Sequence, residues 1–349
     1  MAGSKKTYSV GASFLTILII IVVAALAFNF MNWSVKLAYW HIHEAFFHND
    51  ISESFVEKIQ AAAKEQKTFD FNDDYFVKIN DDSTVSCYEI GSHFDTEHPV
   101  RRMDPNPLEY WCCMQAVCID DHYVLGLCRD GTLVYGDLTL GPNNQDEISD
   151  PENRSSITKQ RDVTDIHLDY RECLALNKNG KVFHAGYGDD KDYKSWENIS
   201  AIVNGMGLKD DGTVTYSGMK GFTEYSHWKN IAALRRRYSR VVGIRKDGTV
   251  KINKEYVGDM TDARDWEHIV SLDISTEYLV GVSEDGSVRF ARYANTNDYP
   301  LGDEITQWKD IVTVQITNEG VVGKDKSGKF HFATEDQQKE ILFDSVVNR

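Results

Sequence analysis

One short phrase recurs seven times along this chain, and it narrows the available folds more than any other feature. The fullest copies are VLGLCRDGTLVYG (124–136), GMGLKDDGTVTYSG (205–218), VVGIRKDGTVKIN (241–253) and LVGVSEDGSVRFA (279–291). Looser copies are FVKINDDSTVSCY (76–88), CLALNKNGKVFHAG (173–186) and VVGKDKSGKFHFA (321–333). Each is an apolar run, a two-residue turn and an alternating run. The turns are Asp130-Gly131, Asn179-Gly180, Asp211-Gly212, Asp247-Gly248, Asp285-Gly286 and Ser327-Gly328, with Asp82-Ser83 as the degenerate one. Asp-Gly and Asn-Gly tolerate the positive φ of tight hairpin turns, so seven hairpins are expected.

A second phrase alternates with the first. It reads Trp196-Glu-Asn-Ile199, Trp228-Lys-Asn-Ile231, Trp266-Glu-His-Ile269 and Trp308-Lys-Asp-Ile311. Weaker forms are Trp111-Cys-Cys-Met114, Val163-Thr-Asp-Ile166 and Phe343-Asp-Ser-Val346, and each is expected to be a strand. A unit repeated every ~32–50 residues, too small to bury its own apolar face, means radial stacking of small sheets. The reading is all-β: a seven-bladed β-propeller. Phe343–Val347 is expected in a sheet, completing the last blade or pairing with the first; deleting residues 340–349 would then expose a sheet edge.

The first strand of the hairpin carries a small residue at its middle: Gly126, Ala175, Gly207, Gly243, Gly281 and Gly323. Glycine weakens a strand, so its repetition predicts a close backbone approach there. With Trp-x-[Asp/Asn]-Ile ahead and Asp-Gly-Thr-Val behind, the unit resembles the regulator of chromosome condensation repeat family. The resemblance covers about residues 67–349 and is clearest from 196 to 331. It implies a propeller whose face loops bind another protein, as in family members that exchange nucleotide on a small nuclear GTPase or inhibit a β-lactamase.

The N-terminal part has a different character. From Thr7 to Val35 no residue is charged, and Phe14–Phe30 is nearly continuous Leu, Ile, Val, Ala and Phe. About 20 apolar residues suffice to cross a bilayer. Lys5 and Lys6 precede the run, which favours a cytoplasmic N-terminus and an extracytoplasmic propeller. Ala25-Leu26-Ala27 has the form of a signal-peptidase site. The apolar run continues past it, so a retained single-pass anchor is preferred. The organisation expected is a cytoplasmic tail (1–9), a transmembrane helix (10–31), a juxtamembrane amphipathic and helical stalk (32–66) and the propeller (67–349). Asp50 with Glu53 reads as a capping box opening a helix to about Gln66.

Net charge is −16 and pI about 5.1, which argues against nucleic acid as a partner, since phosphate binding rests on Lys and Arg. His41, His43 and His48 read as interfacial residues, and no metal or other cofactor is expected. Cys87, Cys112, Cys113, Cys118, Cys128 and Cys173 have no zinc-type spacing and read as small buried side chains; disulfide pairing stays open. No GxSxG, HExxH, phosphate-loop or calcium-loop pattern occurs, so no catalytic residue is assigned.

The segments between the phrases should ring one face of the disc. They include Asp120-Asp121-His122, Asp169-Tyr170-Arg171-Glu172, Arg235-Arg236-Arg237-Tyr238-Ser239-Arg240, Ser275-Thr276-Glu277-Tyr278 and Thr317-Asn318-Glu319. Tyr and Arg on a rigid ring form a recognition surface. Candidate binding residues are Arg235, Arg236, Arg237, Tyr238, Arg240, Tyr170, Arg171 and Tyr278, with the arginine-rich segment expected to protrude toward an acidic partner. The functional expectation is a membrane-tethered, non-catalytic binding module for a protein or an anionic surface polymer. The alternatives are a propeller lyase or hydrolase acting on a surface glycan or peptide, and a structural assembly subunit.

Overall fold

The computed structural model describes residues 52–90, 100–147, 153–169, 172–186, 191–217, 223–253, 262–292, 300–317 and 320–348. The chain divides into two compact units, 1–51 and 52–349. The expected transmembrane helix, the first part of the stalk and the capping Asp50 lie outside the described residues. Among those described, no helix is long and apolar enough to cross a membrane.

The second unit opens with helix α1 (Glu53–Glu65), and seven antiparallel sheets follow. The first has four strands: β1 (Phe69–Phe71), β2 (Tyr75–Ile79), β3 (Val85–Glu89) and β4 (Arg101–Arg102). The second is β5 (Met114–Asp120), β6 (Tyr123–Cys128) and β7 (Leu133–Asp137), and the third β8 (Val163–Leu168), β9 (Glu172–Asn177) and β10 (Val182–Gly186). The fourth is β11 (Ile199–Val203), β12 (Met206–Lys209) and β13 (Val214–Tyr216). The fifth is β14 (Ile231–Arg237), β15 (Arg240–Arg245) and β16 (Val250–Ile252), and the sixth β17 (Ile269–Ile274), β18 (Tyr278–Ser283) and β19 (Val288–Arg292). The seventh is β20 (Ile311–Ile316), β21 (Val321–Asp325) and β22 (Phe330–Ala333). Each is one hairpin plus the preceding inner strand, with β4 added at the edge of the first. The first hairpin has its inner strand in β1, which carries no Trp phrase.

The Trp phrase itself is a turn, not a strand. Its third residue has positive φ in six blades: Cys113, Asp162, Asn198, Asn230, His268 and Asp310, at 56–62°. Asn, Asp and His tolerate that region better than other side chains. The turn aims the carbonyl at the hairpin of the same blade, as in Glu284 N–H to His268 O (2.9 Å) and Lys326 N–H to Asp310 O (2.9 Å). In the third blade Asp162 plays this part, so the phrase there is Gln160–Val163, three residues before the expected Val163-Thr-Asp-Ile166. A register shift follows at the start of β5, β8, β11, β14, β17 and β20, a bulge that re-aims the rest of the strand.

Hairpin turns dock on the next blade, the turn at Gly328 excepted. The N–H of Ile311 donates to Gly286 O (3.1 Å), that of Ile269 to Gly248 O (3.0 Å) and that of Val163 to Gly131 O (3.0 Å). The repeated mid-strand glycines, expected to admit a neighbouring backbone, instead admit the Trp ring. A methyl at Gly281 would fall 2.7 Å from Trp266, one at Gly323 2.8 Å from Trp308 and one at Gly126 2.6 Å from Trp111. The third blade has no Trp and carries Ala175.

The C-terminus departs from expectation. Phe343–Val347 lies in helix α4 (Gln337–Val347), which follows two short helices, α2 (Lys191–Lys194) and α3 (Pro300–Ile305). Asp336 caps α4 by accepting from the N–H groups of Gln338 (3.0 Å) and Lys339 (3.2 Å). Lys339, Phe343 and Val347, four apart, share its buried face. Phe343 packs on Phe76 of the first blade (centroids 5.1 Å) and Phe332 of the seventh (4.8 Å). Phe330 meets Phe69 (5.0 Å) and Phe76 (5.2 Å). The ring is therefore closed by an aromatic wedge rather than a shared strand. Asn348 donates to Phe330 O and accepts from its N–H, both 2.8 Å, imitating a strand partner at the sheet edge.

Helix α1 is no free stalk. Ile59 and Ala62 are buried in one core with residues of the fifth, sixth and seventh blades. Its first turn lies at the hairpin-turn face: Phe55 meets Gly248 and His268, and Lys58 pairs with Glu284 (3.0 Å). Ser52 is its N-cap residue, with the hydroxyl bonded to Ser54 (2.6 Å) rather than to a helix N–H.

Candidate functional site: the bore of the ring

The inner strands line a central bore. Because of the bulge, the fourth residue after the phrase faces it in the second to seventh blades, and Asp70 of β1, which has neither phrase nor bulge, takes the same place in the first. The resulting ring is Asp70, Cys118, His167, Val203, Arg235, Asp273 and Gln315, all on the wall of a cavity of about 730 Å³ that opens at the loop face. A second cavity of about 560 Å³ lies beside α1 toward the opposite face. Lys67, Ile202, Val203 and Arg235 line both.

Several ring residues tie blades together. Asp70 accepts from the N–H of Phe71 in its own strand and of Ile119 in the next blade, both 2.9 Å. Asp273 repeats this with Ile274 (2.9 Å) and Ile316 (2.8 Å). Gln315 donates to Gln66 O (2.6 Å) and Phe69 O (2.8 Å), joining the last blade to the first. Lys67 pairs with Asp165, whose other oxygen accepts from Ile202 N–H (3.0 Å).

Burial dominates the electrostatics. It pushes the Asp70 carboxyl up to about 7 against the pull of its two N–H donors, with Asp273 adding to the rise and Arg237 opposing it. The same burial raises Asp273, against the attraction of Arg235. It also pushes His167 down to about 4, so that the imidazole is neutral at physiological pH.

The arginine-rich segment is not a protruding loop. Arg235, Arg236 and Arg237 belong to β14, and the loop proper is Tyr238-Ser239. Arg235 faces the bore and Arg237, two residues on, lies on the same side. Arg237 donates to Ile316 O and Arg240 to Ser275 O (3.2 Å). Arg236 donates to Asn204 O and Tyr238 O (2.8 Å) and is held near Glu172. Glu172 also accepts from Tyr193, which takes a hydrogen bond from Ser217 (3.1 Å). Tyr238 stands at the rim, 63% exposed. Tyr278 is buried against Phe290 (5.4 Å) and is removed from the candidate surface. Tyr170 and Arg171 lie outside the described residues.

The ring residues other than Arg235 were missed in the sequence. The available signal was a polar residue four positions after the phrase, visible in four of the six strands that follow one (His167, Arg235, Asp273, Gln315) once the bulge is known. All six cysteines are free thiols; Cys87, Cys118 and Cys173 are buried, whereas Cys112 and Cys113 are exposed. No group of three or more His, Cys, Asp or Glu suited to a metal ion occurs among the described residues.

No family model matches the chain, and no curated protein is similar to it in sequence. Among solved structures, the ectodomain of the Physcomitrella patens receptor kinase CR4 is similar with a TM-score of 0.52 at 11% identity, over 77% of this chain and 73% of that one. Prp20p from Saccharomyces cerevisiae, described with its binding to Gsp1p and histones, gives 0.48 at 11% identity, over 78% and 83%. Hsv2p from Kluyveromyces lactis gives 0.45 at 13%, over 78% and 94%. At such identities the likeness is one of fold alone. Seven small antiparallel sheets in sequence order give the chain the fold of a seven-bladed β-propeller.

Proposed function

We propose that this chain is a membrane-tethered, extracytoplasmic β-propeller that binds a protein or an anionic surface polymer without catalysis. The observation that carries the reading is the open bore, whose wall holds arginine donors and whose rim presents the exposed Tyr238. A rigid ring fixes such groups at little entropic cost, which favours recognition. The tether rests on the apolar run at residues 10–31 and on Lys5 and Lys6.

Two measurements test this. Protease added to intact cells should digest the propeller from outside; protection until lysis overturns the orientation. A photo-crosslinking residue at position 238 should form an adduct with a surface component, and its absence on displayed protein overturns the binding reading. The enzymatic alternative, a lyase or hydrolase on a surface glycan or peptide, draws support from Asp70, whose raised carboxyl suits general acid–base work. Glycan or peptide turnover that disappears in Asp70→Asn would replace the binding reading.

A further inference from the structure

The polar groups of the bore are unequally satisfied. Both oxygens of Asp70 and of Asp273 are engaged by main-chain N–H groups. The cations are not matched in this way. Arg235 makes a single hydrogen bond, to Leu234 O of its own strand (2.9 Å), and Arg237 a single one, to Ile316 O. Neither forms an ion pair with a described residue. A guanidinium carries five N–H donors in a planar fork, so most of both remain open to the cavity they line. His167, two blades from Arg235 on the same wall, has a buried Nε2 without a hydrogen-bond partner. Open donors beside committed acceptors favour an anion in a chain that is otherwise strongly acidic.

We propose that the bore is a carboxylate-binding pocket, in which an acidic peptide segment entering at the loop face places a carboxylate on Arg235 and Arg237, with His167 as a further polar contact. Planar forks at alternate positions of one strand suit the two oxygens of a carboxylate. Asp70 and Asp273 in the same ring disfavour a dianion such as sulfate. A cavity of about 730 Å³ lies within the range that takes a few residues. At physiological salt the net charge of −16 is screened beyond about 8 Å, so recognition depends on these short-range contacts. The inference rests on the binding-module reading and gives it a ligand class.

The test is calorimetric titration of the full chain with hexaglutamate at physiological ionic strength, with hexaglutamine and inorganic sulfate as comparison probes. Hexaglutamate should bind saturably and hexaglutamine should not. Arg235→Gln and Arg237→Gln should weaken binding by about tenfold or more, whereas Lys58→Gln on the opposite face should leave it unchanged. Arg237→Lys keeps the charge and loses the fork; weaker binding with an unaltered melting temperature is expected. Absence of hexaglutamate binding, indifference to all three arginine variants, or displacement by an equal concentration of sulfate overturns the assignment. If these fail while the cross-link from position 238 persists, the bore assignment falls and the binding-module reading stands.

Discussion

Trp266 and Gly281 show how single residues hold a blade. The ring lies where a side chain on the second strand would stand, and a methyl at Gly281 would fall 2.7 Å from it. Gly281→Ala should therefore lower stability by about 1–3 kcal/mol, as overpacking does. In urea denaturation, Gly281→Ala combined with Trp266→Ala should be less destabilising than the sum of the two, because the clash disappears with the ring. Additive losses would show that the glycine serves something else. Glu304 offers a pH-dependent test. Burial first, and Glu340 second, push its carboxyl up to about 7. A folded value above the ordinary one of about 4.3 means that the stability from this group is complete below that value and is lost as pH rises through about 7. Glu340→Gln should accordingly raise the melting temperature at pH 8 and leave it nearly unchanged at pH 4. An equal change at both would place the effect outside this carboxyl pair.

Hairpin turns are the elements that join neighbouring blades. Gly286 has φ +84° and Gly328 φ +87°, so alanine is strained at both, by roughly 1–2 kcal/mol. Their surroundings differ. A methyl at Gly286 would meet the backbone of Asp310 at 2.7 Å, on the blade whose Ile311 N–H it binds, whereas at Gly328 nothing lies within 4 Å. Gly286→Ala should thus shift the urea midpoint well beyond Gly328→Ala, and equal shifts would mean that the turns do not carry the inter-blade link. The turn at Gly328 is exempt because the seventh blade meets the first through a different device.

That device operates at the scale of the whole ring. Phe343 is fully buried between the first and seventh blades, with Phe69, Phe76, Phe330 and Phe332 in the same cluster. Phe343→Ala should reduce stability by about 3–5 kcal/mol, in the range for buried aromatics. Removal of residues 337–349 should open the ring and make it bind hydrophobic dyes. The physical cause is exposure of an aromatic core, not of a bare sheet edge. Unchanged melting in both variants would show that Gln315 and helix α1 close the ring unaided.

Blade number, strand order and hairpin positions were legible in the sequence because they are local. Asp-Gly and Asn-Gly fix turns within four residues, and alternation marks the strands beside them. The Trp–Gly pairing was also written there, five Trp phrases against five glycines, with alanine in the third blade, where the Trp is missing. Its meaning was not, since a glycine does not say which group comes close to it. The C-terminal helix was misread because Phe343-Asp-Ser-Val346 imitates the repeat, although Asp336 and the four-residue spacing of Lys339, Phe343 and Val347 favour a helix. The bore was decided only in the tertiary structure. A bulge in six of the seven inner strands sets which residue faces the axis, and only ring closure brings Asp70, His167, Arg235 and Asp273, separated by up to about 200 positions, onto one wall. Burial then determines their charge, a property of the closed ring that no stretch of sequence contains.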